Sequence, residues 1–279
     1  MNAQTLYPAP AKLNLMLRVT GRRADGYHLL HTVFCFIDYG DTLSFALRED
    51  GAIVRGNDVS DVPETADLTL SAARLLQEAG AVGQGAKISL DKRLPVGGGL
   101  GGGSSDAATT LIALNRLWGL NWPRARLQEL ALKLGADVPV FVFGESALGE
   151  GIGDKLTALT LPPAWYLVLF PPLGVSTARV FQDPDLIRDS IPTKIPPFSV
   201  VSASNDLEPV VCRLYPEVAH HLAWLRQFGN ARMTGSGACV FAEFASEVEA
   251  RAVMDQLPAT MRGVVAQGLA RHPLREMCE

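Results

Sequence analysis

From Ala11 to Thr20 apolar and polar residues partly alternate, with Leu13, Leu15 and Leu17 on one face and Lys12, Asn14 and Arg18 on the other. That is the two-residue period of a strand. After the turn dipeptide Asp25-Gly26, the runs LHTVFCFIDY and DTLSFALRE predict two further strands joined at Gly40. The period then changes: Leu68, Ala72, Leu75 and Leu76 share one helical face within residues 65–79, and the run stops at Gly80. AKISLDKRL predicts a strand leading into a run of glycines. Beyond it Ala107, Leu111, Leu114 and Trp118 recur at helical spacing, with Gly119 where a left-handed cap is wanted. A helix from Arg124 to Leu134 is stopped by Gly135, after which Val-Pro-Val reads as a strand. The two prolines of TALTLPPAW suggest a boundary near residue 160 before the strand WYLVLF. Residues 183–198 are proline-rich and predict an irregular surface segment. VFAEFASEVEARAVMDQL predicts a strand and then a helix, and GVVAQGLAR a closing strand. Mixed strands and helices with antiparallel signals near the start argue for an α+β fold.

Composition narrows the function classes. At 279 residues, 48% hydrophobic and 19% charged, the chain can bury two ordinary domains. A formal net charge of −4 and no Lys/Arg cluster beyond pairs such as Arg22-Arg23 give no basic field, so nucleic acid is not expected as a partner. Apolar runs such as Ala164 to Phe170 are too short to span a bilayer, and MNAQTLYPAPAK lacks the regions of a signal peptide. The expectation is a cytoplasmic protein with no membrane partner. Cys35, Cys212, Cys239 and Cys278 have no metal-ligand spacing and predict reduced, mostly buried thiols. No residues are assigned as metal ligands on these grounds.

The candidate chemistry lies in PVGGGLGGGSSDAATTL, where six of the seven positions from 97 to 103 are glycine. Without a Cβ the backbone can adopt positive φ and let N–H groups converge on anionic oxygens at a helix N-terminus. A flexible linker is the plain alternative, but a linker is not expected between a strand and a helix whose N-cap and first turn suit Ser104, Ser105 and Asp106. The phosphate cradle outweighs it. A dinucleotide fold would need an acidic strand end about 20 residues on, and a P-loop would need Lys at the position of Gly103; both patterns fail. The protein-kinase signatures are also missing after the loop.

PVGGGLGGGSSDAA resembles the phosphate loop of the GHMP superfamily of small-molecule kinases, which includes galactokinase, homoserine kinase and mevalonate kinase. PAPAKLNL at 8–15 resembles the family's N-terminal motif, and RMTGSGACVF at 232–241 its C-terminal glycine turn. TGRRADGYHLLHT and GADVPVF are similar to the branch that phosphorylates a methylerythritol unit carrying a cytidine diphosphate, a step of the non-mevalonate route to isoprenoid precursors.

The resemblance implies a two-domain α+β GHMP-kinase-like fold with the active site in the interdomain cleft. Residues 1–160 would form the ATP-binding kinase domain and 161–279 the C-terminal substrate domain. ATP would lie over Gly97, Gly98, Gly99, Leu100, Gly101, Gly102, Gly103, Ser104 and Ser105, with Gly235, Ser236 and Gly237 as a phosphate-proximal turn. Asp137 would be the catalytic carboxylate and Lys12 its cationic partner. Asn14, Tyr27 and His28 would bind the substrate, Tyr27 by stacking on the cytosine and His28 by hydrogen bonds, with Phe181 covering the other face. Mg²⁺ would bridge phosphate oxygens, with the hydroxyl of Ser104 or Ser105 as a ligand. A monomer or a weak homodimer is expected.

Each residue also has an ordinary reading. Lys12 and Asn14 would otherwise be the solvated face of an edge strand, Asp137 a turn or capping residue, and Tyr27 and His28 a half-buried hairpin pair. The glycine turn could be a tight hairpin and Phe181 core. Three function classes follow: the cytidyl-linked polyol kinase, another GHMP-type alcohol kinase, and a non-catalytic nucleotide-binding module. Tyr27 and His28 separate the first two, and retention of both Lys12 and Asp137 speaks against the third.

Overall fold

The structure, a computed structural model, describes residues 5–59, 62–192 and 204–278. Its backbone is one mixed sheet with helices packed on it. Strand β1 (Tyr7–Arg22) pairs antiparallel with the long β2 (His28–Arg48), which also pairs with β4 (Gly85–Asp91) and β5 (Ala147–Glu150). β3 (Ile53–Arg55) lies parallel to β4, and β6 (Lys155–Ala158) pairs with β5. In the second half β7 (Trp165–Leu169) lies between β9 (Val240–Phe244) and β10 (Gly263–Leu269), and β8 (Arg232–Met233) edges β9. β10 also pairs with β2 through Gly268 and Leu269, which makes the sheet continuous.

Helices α1 (Leu68–Ala79), α2 (Gly102–Leu117), α3 (Arg124–Leu134) and α4 (Val138–Phe143) pack on the first half. The second half carries α5 (Thr177–Gln182), α6 (Glu208–Leu214), α7 (Pro216–Leu225) and α8 (Glu247–Met254). Between the two helical cores a third cluster joins Leu13, Leu15, Val33 and Ile37 to Tyr166, Val168 and Phe241. Among the described residues no helix is long and apolar enough to cross a membrane.

β1 is buried on both faces. Lys12 and Asn14 are 2% and 3% exposed, so the solvated edge-strand reading fails for both. Register shifts between Pro10 and Lys12 and between Asn14 and Met16 interrupt the pairing with β2. Such bulges bend a strand and re-aim its side chains.

Other expectations are corrected. Gly40 does not join two strands, because β2 runs through it without a break. A Cβ there would sit 2.2 Å from the Ala9 carbonyl oxygen, so this glycine marks the close approach of β1. Val-Pro-Val opens α4 rather than a strand; Val138 to Val142 are all buried, and Pro139 stands in the first turn, where proline is tolerated. Burial from every side erased the periodicity that would have distinguished the two. The N-cap of α2 is Gly101, in the left-handed region at φ 73°, so Ser104, Ser105 and Asp106 lie inside the helix. Of residues 183–198, those from 193 onward lie outside the described residues.

Gly40→Ala should lower the melting temperature by at least about 5 °C or prevent soluble accumulation, a core clash of about 2 kcal/mol or more. Gly83→Ala, where a Cβ would meet nothing within 4 Å, should melt like the parent. Thermal denaturation of the pair checks this; equal melting temperatures would remove the close-approach role from Gly40.

Candidate active site

Positive φ recurs at Gly97, Gly99 and Gly101, at 70°, 76° and 73°. A Cβ on Gly99 would lie 2.3 Å from the Thr234 carbonyl oxygen, and one on Gly101 2.9 Å from the Phe141 ring. The loop is therefore a fixed turn between β4 and α2, clamped by the second half: Cys239 N–H donates to the Gly98 carbonyl at 3.0 Å, and Thr234 Oγ1 to Gly99 at 3.3 Å. Gly97, Gly98, Gly99, Gly101, Gly102, Gly103 and Ser104 line a cavity of about 340 Å³, together with Ser236 and Gly237. Leu100 and Ser105 do not. Leu100 is buried with its carbonyl accepting from Lys12 N–H, and the Ser105 hydroxyl donates to the Pro10 carbonyl at 2.7 Å. Of the two serines, only Ser104 lines this cavity.

The next cavity, about 290 Å³, holds Lys12, Asn14, Asp137, Phe181, Gly235 and Ser236. The Lys12 ammonium lies 2.5 Å from Asn14 Oδ1, 3.0 Å from the Gly99 carbonyl oxygen and 3.4 Å from Asp137 Oδ2. Asn14 Nδ2 donates to Thr32 Oγ1 at 2.8 Å, which fixes which end of the amide meets the lysine. Asp137 precedes α4 but its carboxylate caps nothing, and its side chain is 41% exposed while that of Lys12 is 3%. The cation is fixed and the carboxylate is accessible.

A third cavity, about 410 Å³, is lined by Arg22, Tyr27, His28 and Phe181. His28 stacks on Phe181 at 4.8 Å between ring centroids, 28° from parallel, while Tyr27 is 59% exposed beside them. Burial, with Arg188 and Arg22 nearby, holds the His28 imidazole below its ordinary value. Thr177 lines all three cavities, and its hydroxyl meets that of Ser236 at 2.7 Å. The cavities share walls: Ser104 and Asp137 face the first two, Leu30 and Phe181 the last two.

A GHMP kinases N terminal domain model matches residues 67–145, and a GHMP kinases C terminal model matches 199–263. The 4-diphosphocytidyl-2-C-methyl-D-erythritol kinase of Nitrosospira multiformis is 61% identical over 99% of this chain and 95% of its own. The chain belongs to that family of GHMP kinases. The kinase of the same name from Thiobacillus denitrificans is also 61% identical, over 96% of each chain. A crystal structure of a 4-(cytidine 5'-diphospho)-2C-methyl-D-erythritol kinase superposes with a TM-score of 0.78 at 36% identity, covering 95% of this chain and 99% of that one. This protein is thus a small-molecule kinase of α+β fold, a class that uses ATP as phosphate donor.

Several site-forming residues carried no signal along the chain. Asn205 donates through Nδ2 to the carbonyls of Met233 and Gly235, both at 2.8 Å, and so shapes the glycine turn. Lys92 bridges Asp41 and Asp106 at 2.6 Å each beside the glycine loop. Burial and the second carboxylate of Asp41 push Asp106 well above the usual carboxylate range, against the pull of Lys92. One ammonium cannot neutralise two buried carboxylates. Asp106 belongs to the glycine motif, but Asn205, Lys92 and Asp41 belong to none, so only their meeting in space marks them.

His28 should titrate with a midpoint below 6.5. Since a nearby cation disfavours the imidazolium, Arg22→Gln should move that midpoint upward. Nuclear magnetic resonance of the labelled ring checks both; a midpoint at or above 6.5 in the parent would contradict the electrostatics described.

Proposed function

We propose that this protein transfers the γ-phosphoryl group of ATP to the tertiary C2 hydroxyl of 4-diphosphocytidyl-2-C-methyl-D-erythritol, giving the 2-phosphate and ADP. The observation that carries the reading is the order of the cavities: a glycine-lined anion site, then Lys12 with Asp137, then an aromatic site at Tyr27, His28 and Phe181. The names of the relatives supply the substrate.

In this reaction the substrate hydroxyl oxygen bonds to the γ-phosphorus, the bond to the ADP oxygen breaks, and the hydroxyl proton passes to Asp137. Such transfers depend mostly on positioning and charge stabilisation. Asp137 accepts or orients the proton from a side chain open to the cleft. Lys12 lends positive charge to the transferring group, while Asn14 and the Gly99 carbonyl hold the ammonium in place. The N–H groups of the loop and of the first turn of α2 bind phosphate oxygens. Tyr27 and Phe181 offer aromatic faces to the cytosine, and His28 a ring hydrogen bond.

The site suits a Mg²⁺ ion carried by the nucleotide rather than caged by the protein. Ser104 and Asp137 both face the first two cavities, and the described residues hold no cluster of three or more His, Cys, Asp or Glu side chains. The ion would neutralise charge on the phosphate oxygens, and the Ser104 hydroxyl is its protein ligand in this reading. We also assign residues 1–160 to nucleotide binding and 161–279 to closing the substrate side.

An ATP-to-ADP assay with Mg²⁺ tests this, offering the cytidyl substrate beside mevalonate, homoserine, galactose and free methylerythritol phosphate. Turnover confined to the cytidyl substrate, with the new phosphate on C2 by phosphorus resonance, is expected. Turnover on another alcohol would discard the substrate; ATP binding without turnover would discard the catalytic role. Asp137→Asn should lower kcat by about 10² to 10⁴ with ATP affinity retained. Near-normal kcat would remove Asp137 from its role.

A further inference from the structure

Arg188 follows α5 and reaches back to His28 and Phe181, two residues that line the third cavity. Its Nε donates to His28 Nε2 at 3.2 Å. One terminal nitrogen donates to the Leu186 carbonyl at 2.9 Å, and the other to the carbonyls of Phe181 at 3.0 Å and Asp183 at 2.7 Å. One guanidinium thus holds both the imidazole and the backbone of the ring stacked on it. A guanidinium has donors only, so Nε2 must be the acceptor of the imidazole. A neutral ring with Nε2 as acceptor carries its proton on Nδ1. The donor left to His28 for a ligand is therefore Nδ1–H.

Cytosine and uracil differ at this kind of contact. N3 of cytosine accepts a hydrogen bond, whereas N3 of uracil donates one. A ring locked as a donor suits the first and faces the second donor to donor. Unconstrained imidazole favours the other tautomer, which would present Nδ1 as an acceptor.

We propose that Arg188 is a positioning residue that makes the enzyme select cytosine over uracil by holding His28 as its Nδ1–H tautomer. The proposal rests on the reading above that the substrate carries cytosine. The depressed titration of His28 agrees with it, since a protonated ring could not accept from Arg188.

The test compares kcat/KM for the cytidyl substrate and its uridyl analogue in the parent, Arg188→Met and Arg188→Lys. Arg188→Met should shrink the cytidine-to-uridine ratio on the order of tenfold, because a buried donor–donor conflict is relieved for uracil and a fixed donor is lost for cytosine. Arg188→Lys, which still donates, should recover part of the ratio. If Arg188 only braces Phe181 and the loop, both substrates weaken alike and the ratio stays, which overturns the proposal. Nitrogen-15 resonance of His28 in the parent should show Nδ1 protonated; a proton on Nε2 would also overturn it, even if Arg188→Met does not fold. Parent enzyme inactive on the cytidyl substrate would overturn the substrate reading and this role with it, whereas an unchanged ratio in active variants overturns only the role of Arg188.

Discussion

The Lys12 ammonium is the contact on which the rest of the site depends. A cation taken out of water is costly unless oxygens replace its hydration. Here three do, from three parts of the chain: Asn14 on its own strand, the Gly99 carbonyl of the glycine loop, and Asp137 at the start of α4. Satisfying one buried charge therefore brings strand, loop and carboxylate to one point. Lys12 and Asn14 share one face of β1, as residues two apart on a strand must, and the register shifts on either side of the pair bend the strand around them.

The glycine loop is held by the same logic. Its residues are free of Cβ atoms, yet its backbone is not loose: carbonyls of Gly98 and Gly99 accept from Cys239, Thr234 and Lys12. Asn205 in turn holds the turn that carries Thr234. Glycine here removes side-chain bulk so that two backbones can approach, as the 2.3 Å gap between a Gly99 Cβ and the Thr234 carbonyl makes plain. Rigidity of the loop suits the reaction proposed here, which gains mainly from positioning.

The motifs were legible because they are local. Six glycines in seven positions, the AKLNL strand and the GADVPVF segment each carry their pattern within a few residues. Helices α1, α2, α3 and α8 and strands β1, β4, β7, β9 and β10 followed from periodicity as well, whereas α5, α6 and α7 did not. The failures share a cause. Gly40 reads as a turn only if the neighbouring strand is ignored, and VPVFVF reads as a strand only if its burial on every side is unknown. Ser105 looked equal to Ser104 until the Pro10 carbonyl claimed its hydroxyl.

What the sequence determined by itself is the chemistry available: a glycine loop free of side chains, one lysine, one carboxylate, and an aromatic pair after a tight turn. Short-range spacing fixes which atoms a segment can offer, because backbone conformation within a few residues is governed by local sterics and hydrogen bonding. Tertiary structure decided which atoms meet. Lys12 and Asp137 are 125 residues apart, His28 and Arg188 160 apart, and nothing in the spacing of either pair encodes 3.4 or 3.2 Å. Packing three hydrophobic clusters onto one continuous sheet brings these distant segments together, and the buried polar contacts then fix how their side chains meet.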